Sequence, residues 1–83
     1  MLLLRGGIVA DQVLDCTGLN CPLPVVKTAQ AMKSLDPGQV LELLATDPGV
    51  EPDMKAWTNR TGNELVKLER VGDVFHVLLR KVG

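Results

Sequence analysis

The sequence predicts an α+β fold: a two-layer α/β sandwich of order β-α-β-α-β-β, with both helices on one face of four strands. Three observations predict it. Windows 22–35 and 50–61 repeat apolar residues near the helical period of roughly 3.6. Segments 12–16, 40–46, 64–71 and 74–81 have strand composition and lie between turn residues. The chain has 83 residues, room for one small core. Two helices cannot cover both faces of four strands, so one helical layer on one sheet is the economical packing.

Residues 1–10 carry Gly6-Gly7 and no clear period, and read as an N-terminal arm before a domain over 11–83. From Gln12 to Cys16, Leu14 and Cys16 share one face and Val13 and Asp15 the other, as in a short strand. Thr17-Gly18-Leu19-Asn20 is a turn by composition. From Pro22 to Leu35, Val25, Ala29 and Met32 form one helical stripe flanked by Val26 and Leu35, with Lys27, Gln30 and Ser34 opposite. Asp36-Pro37-Gly38 stops that helix.

Val40 to Thr46 is a Leu-rich strand, and Asp47-Pro48-Gly49 turns out of it. In the second helix Val50, Met54 and Trp57 recur at core spacing, Pro52 fits the first turn, and Gly62 ends it. Glu64 to Val71 and Val74 to Lys81 flank Gly72-Asp73 and read as a hairpin. Strand–helix–strand connections of this length favour parallel neighbours. Phe75, Val77 and Leu79 then point at the helices, and Val74, His76, Leu78 and Arg80 point away. Leu44 and Leu78 on that open face suit either weak self-association or the ordinary scatter of exposed apolar residues.

Hydrophobic residues are 46% and charged residues 23%, which excludes disorder by composition. Nine basic residues against ten acidic give a net charge of −1, so no direct nucleic-acid contact is expected. Leu2-Leu3-Leu4 ends at Arg5, too short for a signal core or a membrane span, and no later apolar run suffices. A cytoplasmic chain with no membrane contact is the expectation. Two cysteines fall short of a disulfide scaffold and fit reduced thiols in a reducing compartment.

The chemistry concentrates in Asp15-Cys16-Thr17-Gly18-Leu19-Asn20-Cys21-Pro22-Leu23-Pro24, where a strand ends and a helix begins. Pro22 pushes Cys21 out of the helical region, which suits an N-cap, and itself suits the first helical position. A thiol there faces the positive end of the helix dipole, so the Cys21 pKa is expected below its ordinary value. Thiolate is the reactive form in sulfur exchange. Pro22 and Pro24 lack N–H groups, leaving chiefly the N–H groups of Leu23 and Val25 for the sulfur. The alternative makes Cys21 a small buried hydrophobe that happens to precede Pro.

Other residues weigh toward structure. Cys16 shares a face with Leu14 and reads as a core thiol, with a resolving partner for Cys21 as the alternative. Their Cys-x4-Cys spacing is not that of thioredoxin-like sites. Two cysteines and His76, placed toward the far end of the hairpin, do not make a zinc site, so neither metal nor cofactor is expected. His76 reads as a strand-surface residue. Asp47 follows the second strand at the carboxyl end of the sheet and either borders the site or simply favours a turn before Pro. Trp57 reads as core. Lys27 is a solvated helix charge near the first turn.

Asp15-x-x-Gly18-Leu19-x-Cys21-Pro22-x-Pro24, with the β-α-β-α-β-β order behind it, resembles the TusA-type (SirA-like) sulfur-carrier family over residues 12–82. Asp47-Pro48 and Gly62-x-Glu64-Leu65 are similar to the family as well. The resemblance implies a mixed four-stranded sheet whose last strand runs antiparallel between the second and third. It implies that Cys21 accepts sulfane sulfur as a persulfide, with Asp15, Gly18, Leu19, Pro22 and Pro24 as supporting motif residues. The implied donor is a cysteine desulfurase or a rhodanese. The implied acceptor is another protein, in tRNA thiolation, cofactor synthesis or sulfur metabolism. Several members carry Arg where this chain has Thr17 and Asn20, and Glu where it has Leu23, so no particular partner carries over.

Competing readings of the same residues are a protein- or RNA-binding module with a structural Cys21, a Cys16/Cys21 thiol redox protein, and a selenium-handling relative.

Overall fold

The computed structural model describes residues 2–3 and 9–83. Leu2–Leu3 (β1) and Val9–Ala10 (β2) pair antiparallel. The Gly6-Gly7 pair lies outside the described residues. The remaining elements are Gln12–Cys16 (β3), Leu23–Met32 (α1), Val40–Ala45 (β4), Val50–Thr61 (α2), Glu64–Val71 (β5) and Val74–Arg80 (β6).

The main sheet has the order β3-β4-β6-β5. β3 and β4 are parallel, while β6 runs antiparallel to both β4 and β5. The hairpin turns at Gly72, whose φ of +61° places it in the left-handed region. The sheet is therefore mixed and four-stranded, as expected, with its last strand between the second and third.

Both helices pack on one face. Leu41, Leu43 and Ala45 from β4 meet Phe75, Val77 and Leu79 from β6, and all are buried. Met32 and Leu35 cover them from the first helical segment, and Val50, Met54 and Trp57 from the second. Cys16 belongs to this core and has 0% exposure. α1 lies over β3 and β4, and α2 packs against α1 and β5. The apolar periods thus translate into one hydrophobic cluster.

Three expectations need correcting. The first helix is shorter than 22–35, because Lys33, Ser34 and Leu35 donate their N–H groups three residues back, to Gln30, Ala31 and Met32, in tight turns. Its fully buried stripe is Pro24, Thr28 and Met32. Val25 and Ala29 are half-buried and pack against the core, and Val26 is 44% exposed. On the open face Leu78 is 3% exposed and offers no apolar surface, while Leu44 is half-buried. That face also holds the buried Glu42, whose Oε2 lies 3.1 Å from His76 Nδ1.

Thr28 is fully buried, and its hydroxyl finds no hydrogen-bond partner among the described residues. Thr28→Val keeps the shape and removes the orphaned group, so it should stabilise the protein by about 1 kcal/mol. Leu43→Ala empties a fully buried position and should cost about 2–5 kcal/mol. Urea denaturation midpoints at constant slope check both.

Candidate functional site

The parallel pairing of β3 with β4 sets Cys16 opposite Ala45, so the segments that follow leave the sheet side by side. Segment 17–22 leads to α1 and segment 46–49 leads to α2. Leu19 N–H donates to Cys16 O, and Gly18 between them has a φ of +81°, the signature of a type II turn that favours glycine. Asp15 Oδ1 accepts from the Thr17 N–H at 2.9 Å and the Thr17 hydroxyl at 2.7 Å. The hydroxyl first, then the N–H, hold the Asp15 carboxyl below its ordinary pKa.

Two hydrogen bonds stitch the segments together. Gly18 N–H donates to Thr46 Oγ1 at 2.9 Å. Cys21 N–H donates to Asp47 Oδ2 at 2.6 Å. The other Asp47 oxygen accepts from Gly49 N–H at 3.1 Å, closing a turn within its own loop. The Cys21 N–H, then that of Gly49, hold the Asp47 carboxyl below its ordinary pKa. Asp47 thus makes its own turn and also lies beside the cysteine.

Cys21 is exposed, while Cys16 is buried. The cap of α1 is Pro22, so Cys21 sits one residue before the N-cap, not on it. The cause is local. Leu23 donates its N–H to Asn20 O at 2.9 Å, in a turn that precedes the helix, and the first helical bond runs from Val26 N–H to Pro22 O. The Leu23 N–H is therefore not offered to the sulfur. Pro24 enters the buried stripe and anchors the helix start against the core. Leu19 packs against the core, while Leu23 is 45% exposed beside the cysteine.

The thiol's environment overturns the expected acidity. Cys21 Sγ donates to Asp53 Oδ2 at 2.7 Å. This bond raises the Cys21 pKa above its ordinary value. The slight desolvation of the thiol and the negative charges of Asp53 and Asp47 push the same way. The helix end attracts a thiolate, but a carboxylate in direct contact repels it more strongly, because Coulomb energy falls with distance.

Asp53 is the residue that sequence reasoning missed. It stands in the first turn of α2 with Glu51, where acidic side chains complement the helix dipole. Its position signalled only helix initiation, since it lies 32 residues from Cys21. Cys16 is also held above the ordinary thiol pKa, by burial first, with Lys27 pulling it down and Asp15 pushing it up. His76 pairs across from Leu44, near the end of β4 where the site loop begins, and not toward the far end of the hairpin. It lies on the opposite sheet face from the core residues Phe75 and Val77, and so away from Cys21. Among the described residues no three His, Cys, Asp or Glu side chains converge as metal ligands. No described helix is long and apolar enough to cross a membrane.

Fold and site together define a small two-layer domain that presents one tethered thiol at the sheet's carboxyl end. A sequence model of the sulfurtransferase TusA family matches residues 12–81, and the chain belongs to that family. It is 45% identical over 71 residues to the sulfur carrier protein TusA of Allochromatium vinosum, covering 86% of this chain and 93% of that protein. It is 39% identical over 71 residues to the TusA of Pseudomonas putida strain GB-1, covering 86% and 89%. The crystal structure of a SirA-like protein from Desulfitobacterium hafniense superposes with a TM-score of 0.74 at 22% identity, over 87% of this chain and 99% of that one. This last likeness concerns the fold.

Asp47→Ala removes both loop bonds. The Asp47 carboxyl has a lowered pKa when folded, so it contributes stability above the ordinary carboxylate range, and that contribution is lost as pH falls through the folded value. The variant should be less stable than wild type at neutral pH, and the gap should close in acid. Urea midpoints across pH measure it; a gap independent of pH contradicts the tether.

Proposed function

We propose that the chain is a sulfur-relay carrier in which Cys21 takes sulfane sulfur as a persulfide and hands it to a partner protein. The observation that carries the proposal is the exposure of Cys21 on a loop fixed from the neighbouring segment. A relay needs a thiol that a second protein's reacting sulfur can reach, held where approach has one geometry. The family relatives named sulfur carriers support the same role.

The donor is a cysteine desulfurase or a rhodanese, which carries the sulfur on its own cysteine. The Cys21 thiolate attacks the outer sulfur of the donor persulfide. A sulfur–sulfur bond forms at Cys21, the donor's sulfur–sulfur bond breaks, and the donor thiolate leaves. The proton lost by Cys21 ends on that leaving thiolate, so no oxidant is consumed. Transfer to the acceptor repeats the exchange with Cys21 as the leaving group. Gly18, Leu19 and Asp15 shape the loop, and Pro22 and Pro24 begin the helix behind it. Full burial of Cys16 in the core disfavours a Cys16–Cys21 disulfide cycle.

Incubation with a cysteine desulfurase and cysteine should add one reductant-labile sulfur atom to the intact mass. Cys21→Ser should abolish the gain, and Cys16→Ser should retain it. A loss of two hydrogens would indicate a disulfide, and an unchanged mass would leave only a binding module.

A further inference from the structure

Asp53 touches the sulfur that the proposed chemistry changes. Cys21 Sγ and Asp53 Oδ2 lie 2.7 Å apart, in hydrogen-bond contact. The thiol can make this bond because it has a proton to donate, and a carboxylate can only accept. In the persulfide, Sγ is bonded to a second sulfur and has none. The carboxylate would then face sulfur lone pairs at the same distance, and the contact becomes repulsive.

Resting on the carrier role of Cys21, we propose that Asp53 is a positioning residue that distinguishes the empty carrier from the loaded one. It holds the empty thiol by its proton against α2, and lets go when a second sulfur takes the place of that proton. The empty carrier is thereby a poor nucleophile in solution, guarded against stray alkylation and oxidation. The loaded carrier turns its sulfur outward, toward an acceptor. Asp47 cannot play this part, because its oxygens are engaged with the backbone N–H groups of Cys21 and Gly49. The charged groups acting on the Cys21 thiol are Asp53 on α2 and Asp47 on the loop before it, whereas the charge of Lys27 on α1 acts on Cys16. Among the described residues the side-chain charges acting on the Cys21 thiol are both negative, so a partner that docks there would bring the positive charge that frees the thiol.

The test follows iodoacetamide alkylation of Cys21 in the full chain across pH, before and after loading with inorganic polysulfide, with loading and labelling sites read by mass. Circular dichroism confirms that Asp53→Asn and Asp53→Glu remain folded. In the empty protein, Asp53→Asn should move the alkylation profile to lower pH and raise the neutral-pH rate roughly fivefold. Asp53→Glu, which restores the charge, should return the profile toward wild type. In the loaded protein, wild type and Asp53→Asn should react within about twofold of each other, because the carboxylate no longer holds the sulfur. Identical profiles for the empty proteins overturn the proposal, as does an equal effect of Asp53→Asn on both states. A chain that takes no sulfur on Cys21 contradicts the carrier role instead, while the pH profile of its empty thiol still decides whether Asp53 holds the proton.

Discussion

Asp47 spreads its two carboxylate oxygens over two loops that are distant in sequence. One oxygen receives the Gly49 N–H and shapes the turn into α2; the other receives the Cys21 N–H from across the site. A carboxylate accepting backbone N–H groups makes the stronger, charge-assisted kind of hydrogen bond. Without it the cysteine loop would be joined to its neighbour mainly through Gly18 and Thr46. The parallel register of β3 and β4 brings the two loops together, and Asp47 converts that proximity into a fixed backbone position for Cys21. Placing the sulfur near Asp53 depends on this tether, because a mobile loop would hold no 2.7 Å contact.

Opposing electrostatic effects meet at the sulfur. The start of α1 favours a thiolate, and two carboxylates favour a thiol. The carboxylates win because Asp53 touches the sulfur, and a full charge in contact exceeds the partial charge at a helix end. A carrier needs little intrinsic reactivity. Its task is to accept from one protein and release to another, so the reacting partner can supply what the thiol lacks. A quiet thiol in solution and a responsive one in the complex are compatible demands.

Much of the fold was legible because its signals are local. The β5–β6 hairpin follows from two strand segments around Gly72-Asp73, and α2 from Val50, Met54 and Trp57. The first helix starts one residue later than apolar spacing predicts, because the Leu23 N–H belongs to a turn with Asn20. Val25, Ala29, Met32 and Leu35 belong to the core or pack against it, but Pro24 and Thr28 also face inward, which their residue types do not announce. The site was half legible. Cys21, Gly18, Asp15 and Asp47 stand in recognisable turn and helix-start positions. The acidity of Cys21 was not, because it is set by a carboxylate 32 residues away that only the folded topology delivers.

The tether itself is open to direct measurement by nuclear magnetic resonance. An acid titration can follow the Cys21 amide proton and the Asp47 carboxyl carbon together. A 2.6 Å bond to a carboxylate should hold that amide proton far downfield and make it move as Asp47 is protonated. A single shared inflection, below the ordinary carboxylate range, is the expected result. An amide proton that ignores the titration of Asp47, or an Asp47 that titrates as a free carboxylate, would contradict the account at its foundation.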